Sequence, residues 1–520
     1  MMNPFGSITL LTLIPLVGGL VVAALPAGQK TLARRLGLGV SLLALAVAGA
    51  LWSGFDRDST ALQYVERRAW VPTLAVEYFV GVDGMGLLMV MLAALLVPLA
   101  LLVSWRIEER VPLYFALVLW LEAGLFGAFT ALNFFHWFLF WELSLIPAFF
   151  LVRLWGGPDR GSAATQFFIY TMAGSVGLLL AFLALFLATG KFDFLELADL
   201  GRTHQTAALL HAHLGWSGMS ADALAQAVFF GAFLGFAVKV PVLPFHTWLP
   251  STYAAAPTGT TMLLTGALSK MGVYGFLRIL LPIFPDQMRA WETPLLGLAV
   301  LTIVCSAAAA FAQRDVKRML AYSSVNHLGY CLLGMFAALR VTGEEARWAV
   351  EKAAALNGVL LQMFNHGLTA AMLFGFVALI ERRAGGLRGL DDFGGLRKPA
   401  PVLAGLMGVA AFGSLGLPGL NGFVGEFLIF KGTFALAPWV AALSTAGLLI
   451  TAVFLLTFLE RVFHGPLPAR WAAFPDLSRA EIWMVAPATA LMFVLGIYPQ
   501  LVIGVIHRTV LLWVERLGPC

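Results

Sequence analysis

Lys239, Lys270, Glu142 and Glu426 each stand inside a strongly apolar stretch of this chain. Lys239 closes AVFFGAFLGFAVK, Lys270 interrupts TMLLTGALSKMGVYGF, Glu142 lies in FFHWFLFWELSLIPAFF, and Glu426 lies in GFVGEFLIF. An ionisable group held among hydrocarbon costs roughly 3 kcal/mol at the centre of a membrane helix, and such groups mark proton or ion paths. The chemistry expected of these four residues is therefore movement of charge across a membrane.

The elements that position them are membrane helices. Hydrophobic residues make up 60% of the chain, charged residues 12%, and the mean hydropathy is +0.87, against about 25% charged in soluble proteins. Apolar runs long enough to cross a hydrocarbon core of about 30 Å recur throughout, and we count about fourteen. The longest connections, 56–82, 190–221, 381–400 and 460–481, are too short to hold a soluble domain with its own core. The expected fold is all-α, a single polytopic membrane domain over residues 1–520.

Lys and Arg gather in the odd-numbered loops, about eighteen against about nine in the even ones. Odd loops are therefore expected in the cytoplasm and both termini on the outer face, periplasmic in a bacterial inner membrane. The same bias accounts for the net charge of +5, so nucleic acid is not an expected partner. Cys305, Cys331 and Cys520 form no CxxC pair and no ligand spacing, and neither GxGxxG nor GxxxxGK[ST] occurs. No metal, nucleotide or redox cofactor is expected in this chain.

Two spans are interrupted. The span at 222–244 runs into Lys239-Val-Pro241-Val-Leu-Pro244, and the span at 401–433 contains Gly413-Ser-Leu-Gly416-Leu-Pro418-Gly419-Leu-Asn421-Gly422. Irregular backbone at membrane depth survives where it is buried in protein or lines a cavity, and paired breaks in two halves of a transporter point to its site. Broken helices seven and twelve, five spans apart, suggest two inverted five-helix repeats, near 112–281 and 293–459.

Val240-Pro-Val-Leu-Pro-Phe-His246-Thr-Trp-Leu-Pro250, Lys270-Met-Gly-Val-Tyr-Gly, Asp315-Val-Lys-Arg-Met-Leu-Ala-Tyr-Ser-Ser-Val-Asn-His327 and Asn421-Gly-Phe-Val-Gly-Glu426-Phe resemble the antiporter-like proton-pumping subunits of respiratory complex I. The likeness covers most of the chain, with the motifs in order. The resemblance implies that Glu142 pairs with Lys239, that Lys270 is the central lysine, and that Glu426 is the terminal carboxylate, where a related longer subunit has lysine. His246 matches a family histidine and is an accessory candidate, while His327 and His366 suit a proton relay because histidine titrates near neutral pH. In a helix, Ser323 and His327 share a face, as do Gln362 and His366, so each imidazole is expected to have a polar companion one turn away. Partners implied are the other membrane-arm subunits, two of them related antiporter-like chains, with FMN, iron–sulfur clusters and quinone held elsewhere in the complex.

Simpler readings stand beside these. Glu142 and Lys239 make sense as a static packing pair, Lys270 as a snorkelling lysine, the histidines as packing groups, and Glu426 as a permanent partner of Lys431. Glu122 and Arg278 are left as accessory polar groups, Asp83 as a helix cap, His136 as an interfacial belt residue, and His204, His211 and His213 as solvated. An Mrp-type cation/proton antiporter and a structural scaffold are the alternative functions. One stretch departs from the family pattern: after Pro250 many relatives continue with Asp, His and an acidic residue, where this chain has Ser251, Tyr253 and Ala255.

Overall fold

The computed structural model describes residues 6–74, 76–215, 218–340 and 345–517, so Cys520 lies outside the described residues. The chain is predominantly helical, and eleven helices among the described residues are long and apolar enough to cross a membrane. Ser7–Ala23 and Pro401–Ser414 are shorter apolar helices. The helices Val111–Thr130 and Thr258–Ile283 lie almost wholly inside the protein, whereas Lys30–Ser53 and Pro438–Phe463 turn most of their surface outward. The first pair forms the core and the second pair the shell.

Several helix starts carry the expected chemistry. Asp83 accepts from the Gly86 backbone N–H, Asn133 from Phe135, Asp193 from Leu195 and Glu196, and Asp315 from Arg318. Each carboxylate or amide satisfies an amide that the first helical turn leaves free. Asp83 does more than cap: it also takes the Arg278 guanidinium at 2.5 Å, both side chains being buried. In the connection before Val111, Lys30 and Arg34 bond Glu108 at 2.9 and 2.6 Å and hold its carboxyl below the usual range.

The expectation of an all-α chain needs correction at one place. Residues 56–82 contain an antiparallel hairpin, Gln63–Val71 paired with Val76–Val82. Val76, Phe79, Val80 and Val82 are buried, and β-branched and aromatic side chains favour this pleated, half-covered setting. Other boundaries move as well. The connection 190–221 contains the short helices Phe194–Arg202 and Thr206–Leu214. The last apolar stretch forms two helices, Arg479–Ile497 and Gln500–Leu517, split at Tyr498-Pro499, because proline cannot continue the preceding hydrogen-bond ladder.

Both interruptions are present. Ala221–Lys239 ends at the first, and the chain turns through 240–247 before Trp248–Ala255. Trp248 Nε1 donates to the Val238 carbonyl at 3.0 Å and the Leu243 amide donates to Thr302 Oγ1 at 3.3 Å, satisfying backbone freed by the turn. Ala221–Lys239 packs on Arg160–Thr189 where Gly174 and Gly177 meet Gly235 and Gly231 with backbone almost touching. Small residues permit such close helix contacts in a membrane. At the second interruption Pro401–Ser414 gives way to Asn421–Leu436. Gly416 takes φ +77°, and a Cβ there would lie 2.7 Å from Glu426 Oε2, so only glycine admits the carboxylate at this turn.

Candidate functional site: a buried chain of lysine, histidine and glutamate

Lys270 lies in Thr258–Ile283, between two wider π turns, Leu264–Leu268 and Phe276–Leu280. Such turns displace carbonyls from the α-helical ladder and occur often at functional sites. The Lys270 Nζ uses one of them, donating to the Thr265 carbonyl at 2.5 Å, and it meets His366 Nδ1 at 2.8 Å. Lys270 is fully buried, which excludes snorkelling in this conformation. His366 comes from the long helix Glu345–Arg383.

The His366 ring lies against His327, with centroids 5.0 Å apart and planes 31° from parallel. The two imidazoles share a ring contact and no hydrogen bond. His327, on Val316–Ala338, then meets three groups: Glu426 Oε1 at 3.0 Å, Ser414 Oγ at 3.0 Å and Gln362 Nε2 at 3.3 Å. Gln362 also donates to Glu426 Oε1 at 3.1 Å. Ser414 is the last residue before the second helix interruption and Glu426 follows it, so the broken helix supplies groups from both of its halves.

The expected companions are corrected by this geometry. Ser323 forms no hydrogen bond with His327 among the described residues, and Gln362 serves His327 and Glu426 instead of His366. Residues four apart share a face, but side-chain direction decides whether they meet each other or a facing helix. Lys431 does not pair with Glu426 either. It meets Glu351 at 2.9 Å in a half-exposed pair. Lys431→Gln is expected to change stability by less than about 1 kcal/mol and to leave proton transport untouched, measured as the melting midpoint and transport rate of the purified assembly.

Lys239 is buried, and its ammonium sits 4.6 Å from the centre of the Trp141 ring. Such a contact offsets part of the cost of burying the charge. The neighbouring Glu142 acts on Lys239 electrostatically, but no ion pair within 4.0 Å joins them among the described residues, so the expected contact pair is open in this conformation. Trp141 stands in its place. The backbone just after Lys239 and that just after Lys270 pass close together, since a Cβ on Gly272 would lie 2.8 Å from the Val240 nitrogen. His246 is half-buried beside Tyr322.

The groups set aside fall into place. His136 is covered by the hairpin and lies 4.8 Å from the Tyr78 ring, so it is not an exposed belt residue. His204 pairs with Asp286 at 2.8 Å on the surface. Glu122 is fully buried, and neither carboxyl oxygen has a hydrogen-bond partner among the described residues. Glu122→Met is expected to stabilise the assembly by about 1–3 kcal/mol, the desolvation cost of an unsatisfied polar group. A lowered thermal midpoint in that variant would contradict this.

Thus one buried line of ionisable groups runs from Lys270 to the second interrupted helix in a multi-pass membrane protein. The chain belongs to the NADH:quinone oxidoreductase/Mrp antiporter transmembrane family, whose pattern matches residues 131–451. It is 35% identical to NADH-quinone oxidoreductase subunit M of Rhodobacter capsulatus over 508 residues, covering 97% of this chain and 95% of that protein. Among solved structures it is similar to a chain of respiratory complex I from Thermus thermophilus, with a TM-score of 0.83 and 28% identity over 98% of this chain and all of that one. A chain of the Mrp complex from Dietzia shares the fold, with a TM-score of 0.81 at 21% identity over 98% of this chain and 99% of that one.

Proposed function

We propose that this chain is a proton-translocating membrane-arm subunit of an NADH:quinone oxidoreductase. The carrying observation is the buried sequence Lys270, His366, His327 and Glu426, in which each residue touches the next. Near-full-length likeness to subunits named for that enzyme favours this reading over a free-standing cation/proton antiporter. The chain takes part in the enzyme without a redox centre of its own; FMN, iron–sulfur clusters and quinone belong to partner subunits. Its neighbours are other membrane-arm subunits, including two related antiporter-like chains. The setting is the bacterial inner membrane, with both termini periplasmic. Residues 112–281 and 293–459 act as two inverted repeats among fourteen spans, each contributing one broken helix.

In the proposed cycle, Glu142 approaches or withdraws from Lys239 as drive from quinone reduction reaches it. An adjacent carboxylate favours the charged lysine, and burial without it disfavours that charge. Lys239 therefore holds a proton when Glu142 is close and releases it toward Lys270 when Glu142 withdraws. Lys270 donates to His366 Nδ1, the proton crosses the ring contact to His327, and His327 passes it to Glu426 for release. Moving one charge against 100 mV requires about 2.3 kcal/mol, which a pKa change of about two units supplies.

The test is purification from the native membrane with a quinone-reductase assay. Co-purification with flavin and iron–sulfur subunits and quinone-dependent turnover is the expected result. Isolation with only small hydrophobic partners, transport driven by sodium or potassium, and no redox activity would replace this reading with the antiporter.

A further inference from the structure

The Lys239 ammonium lies 4.6 Å from the centre of the Trp141 ring and, among the described residues, makes no hydrogen bond and no ion pair. An ammonium carries three donors, so a charge that rests on one ring face is held without being locked. The ring itself is fixed. Trp141 is buried, and its Nε1 donates to Ser175 Oγ at 3.0 Å on the helix Arg160–Thr189. Its ring meets Trp137 with centroids 4.7 Å apart and Phe236 edge to face at 5.8 Å. Phe236 belongs to Lys239's own helix, three residues earlier.

Trp141 and Glu142 follow one another on the helix Phe134–Trp155, so their side chains leave it about 100° apart. One helix therefore offers Lys239 two partners, an indole face and a carboxylate, and the indole is the one engaged. Glu142 keeps one buried carboxyl oxygen without a partner among the described residues, while its charge still acts on Lys239. The four-carbon stem of lysine is flexible enough to pass from one partner to the other with the helix in place.

We propose that Trp141 is a positioning residue that holds the Lys239 ammonium while Glu142 is withdrawn, and holds it only while it is charged. A ring face attracts a cation through its quadrupole and gives a neutral amine no such hold. Lys239 stays on the ring until its proton has gone to Lys270, and the freed amine then swings back toward Glu142 to be recharged. The ring steadies the charged side chain during the interval when no carboxylate does. The indole takes no part in the proton transfer, since it has no acceptor nitrogen and its one N–H is bound to Ser175.

The inference rests on the proposed function, and the experiment separates the two. Trp141→Leu, Trp141→Phe and Lys239→Met are compared in the complete purified complex reconstituted in vesicles, reading quinone reduction and proton transport together. Beside them stands a series of increasingly fluorinated tryptophans placed at position 141 alone, which drains charge from the ring face with little change of shape. Trp141→Leu is expected to slow coupled transport about tenfold, with Trp141→Phe between it and the wild type and the rate falling stepwise with fluorination. A constant rate across the fluorinated series beside an inactive Lys239→Met overturns the role of Trp141 and leaves the function standing. Wild-type transport in Trp141→Leu overturns it as well. Wild-type transport in Lys239→Met removes both proposals. Should Trp141→Leu or Trp141→Phe fail to assemble, the fluorinated series decides alone, because a packing role would not follow the charge of the ring.

Discussion

Lys270→Met is expected to lower quinone-coupled proton transport about a hundredfold or more, the scale on which a positioned proton-transfer group acts, while the complex still assembles. Methionine keeps the length and apolar body of the side chain but removes the only donor that His366 Nδ1 meets among the described residues. The Thr265 carbonyl loses the same partner, although Ser269 Oγ, 3.0 Å away, still serves it. The folding cost is therefore limited to about 1–3 kcal/mol for the stranded imidazole nitrogen. Function suffers more, because in the proposed chain Lys270 is the group that passes a proton to His366. Coupled transport at the wild-type rate in an assembled Lys270→Met complex would sink the proposed chain.

Gly422→Ala carries the largest expected effect on folding. A Cβ at Gly422 would lie 1.9 Å from the Gly413 carbonyl oxygen, across the second helix interruption. The obstacle is backbone and cannot rotate aside. The neighbouring Asn421 is held from the same long helix: its side chain donates to the Asn365 carbonyl at 3.1 Å, while Asn365 returns a hydrogen bond to the Asn421 carbonyl at 2.7 Å. Displacing the turn therefore breaks a reciprocal pair as well, and the loss should exceed about 4 kcal/mol. Gly405→Ala, in Pro401–Ser414, provides the contrast, for a Cβ there meets nothing within 4 Å. That variant should gain up to about 1 kcal/mol of helix stability. Subunit content of the purified complex and its melting midpoint distinguish the two.

Much of the site was visible in the sequence because a membrane makes charge conspicuous. Glu142, Lys239, Lys270 and Glu426 stand out against apolar neighbours, and proline and glycine mark both interruptions. The connections between them were less legible. Residue spacing placed Gln362 and His366 on one face, but the facing helices turned Gln362 to His327 and Glu426. The π turns around Lys270 leave no compositional mark, since they arise from packing of the whole bundle. The hairpin strand Gln63–Val71 carries Glu66, Arg67 and Arg68, which hides its pairing from a hydrophobicity pattern.

The contact between His366 and His327, rings 5.0 Å apart and unbonded, bears on how such a protein avoids discharging the membrane that it energises. An unbroken file of hydrogen bonds would behave as a wire, and any standing voltage would drive protons backward along it. In the proposed chain the hydrogen bonds stop at one joint, with Lys270 and His366 on one side and His327 and Glu426 on the other. On the proposed route a proton would cross only when a ring turned or a bridging group entered, and a gap that slowed the forward stroke would also insulate the resting cell against a short circuit.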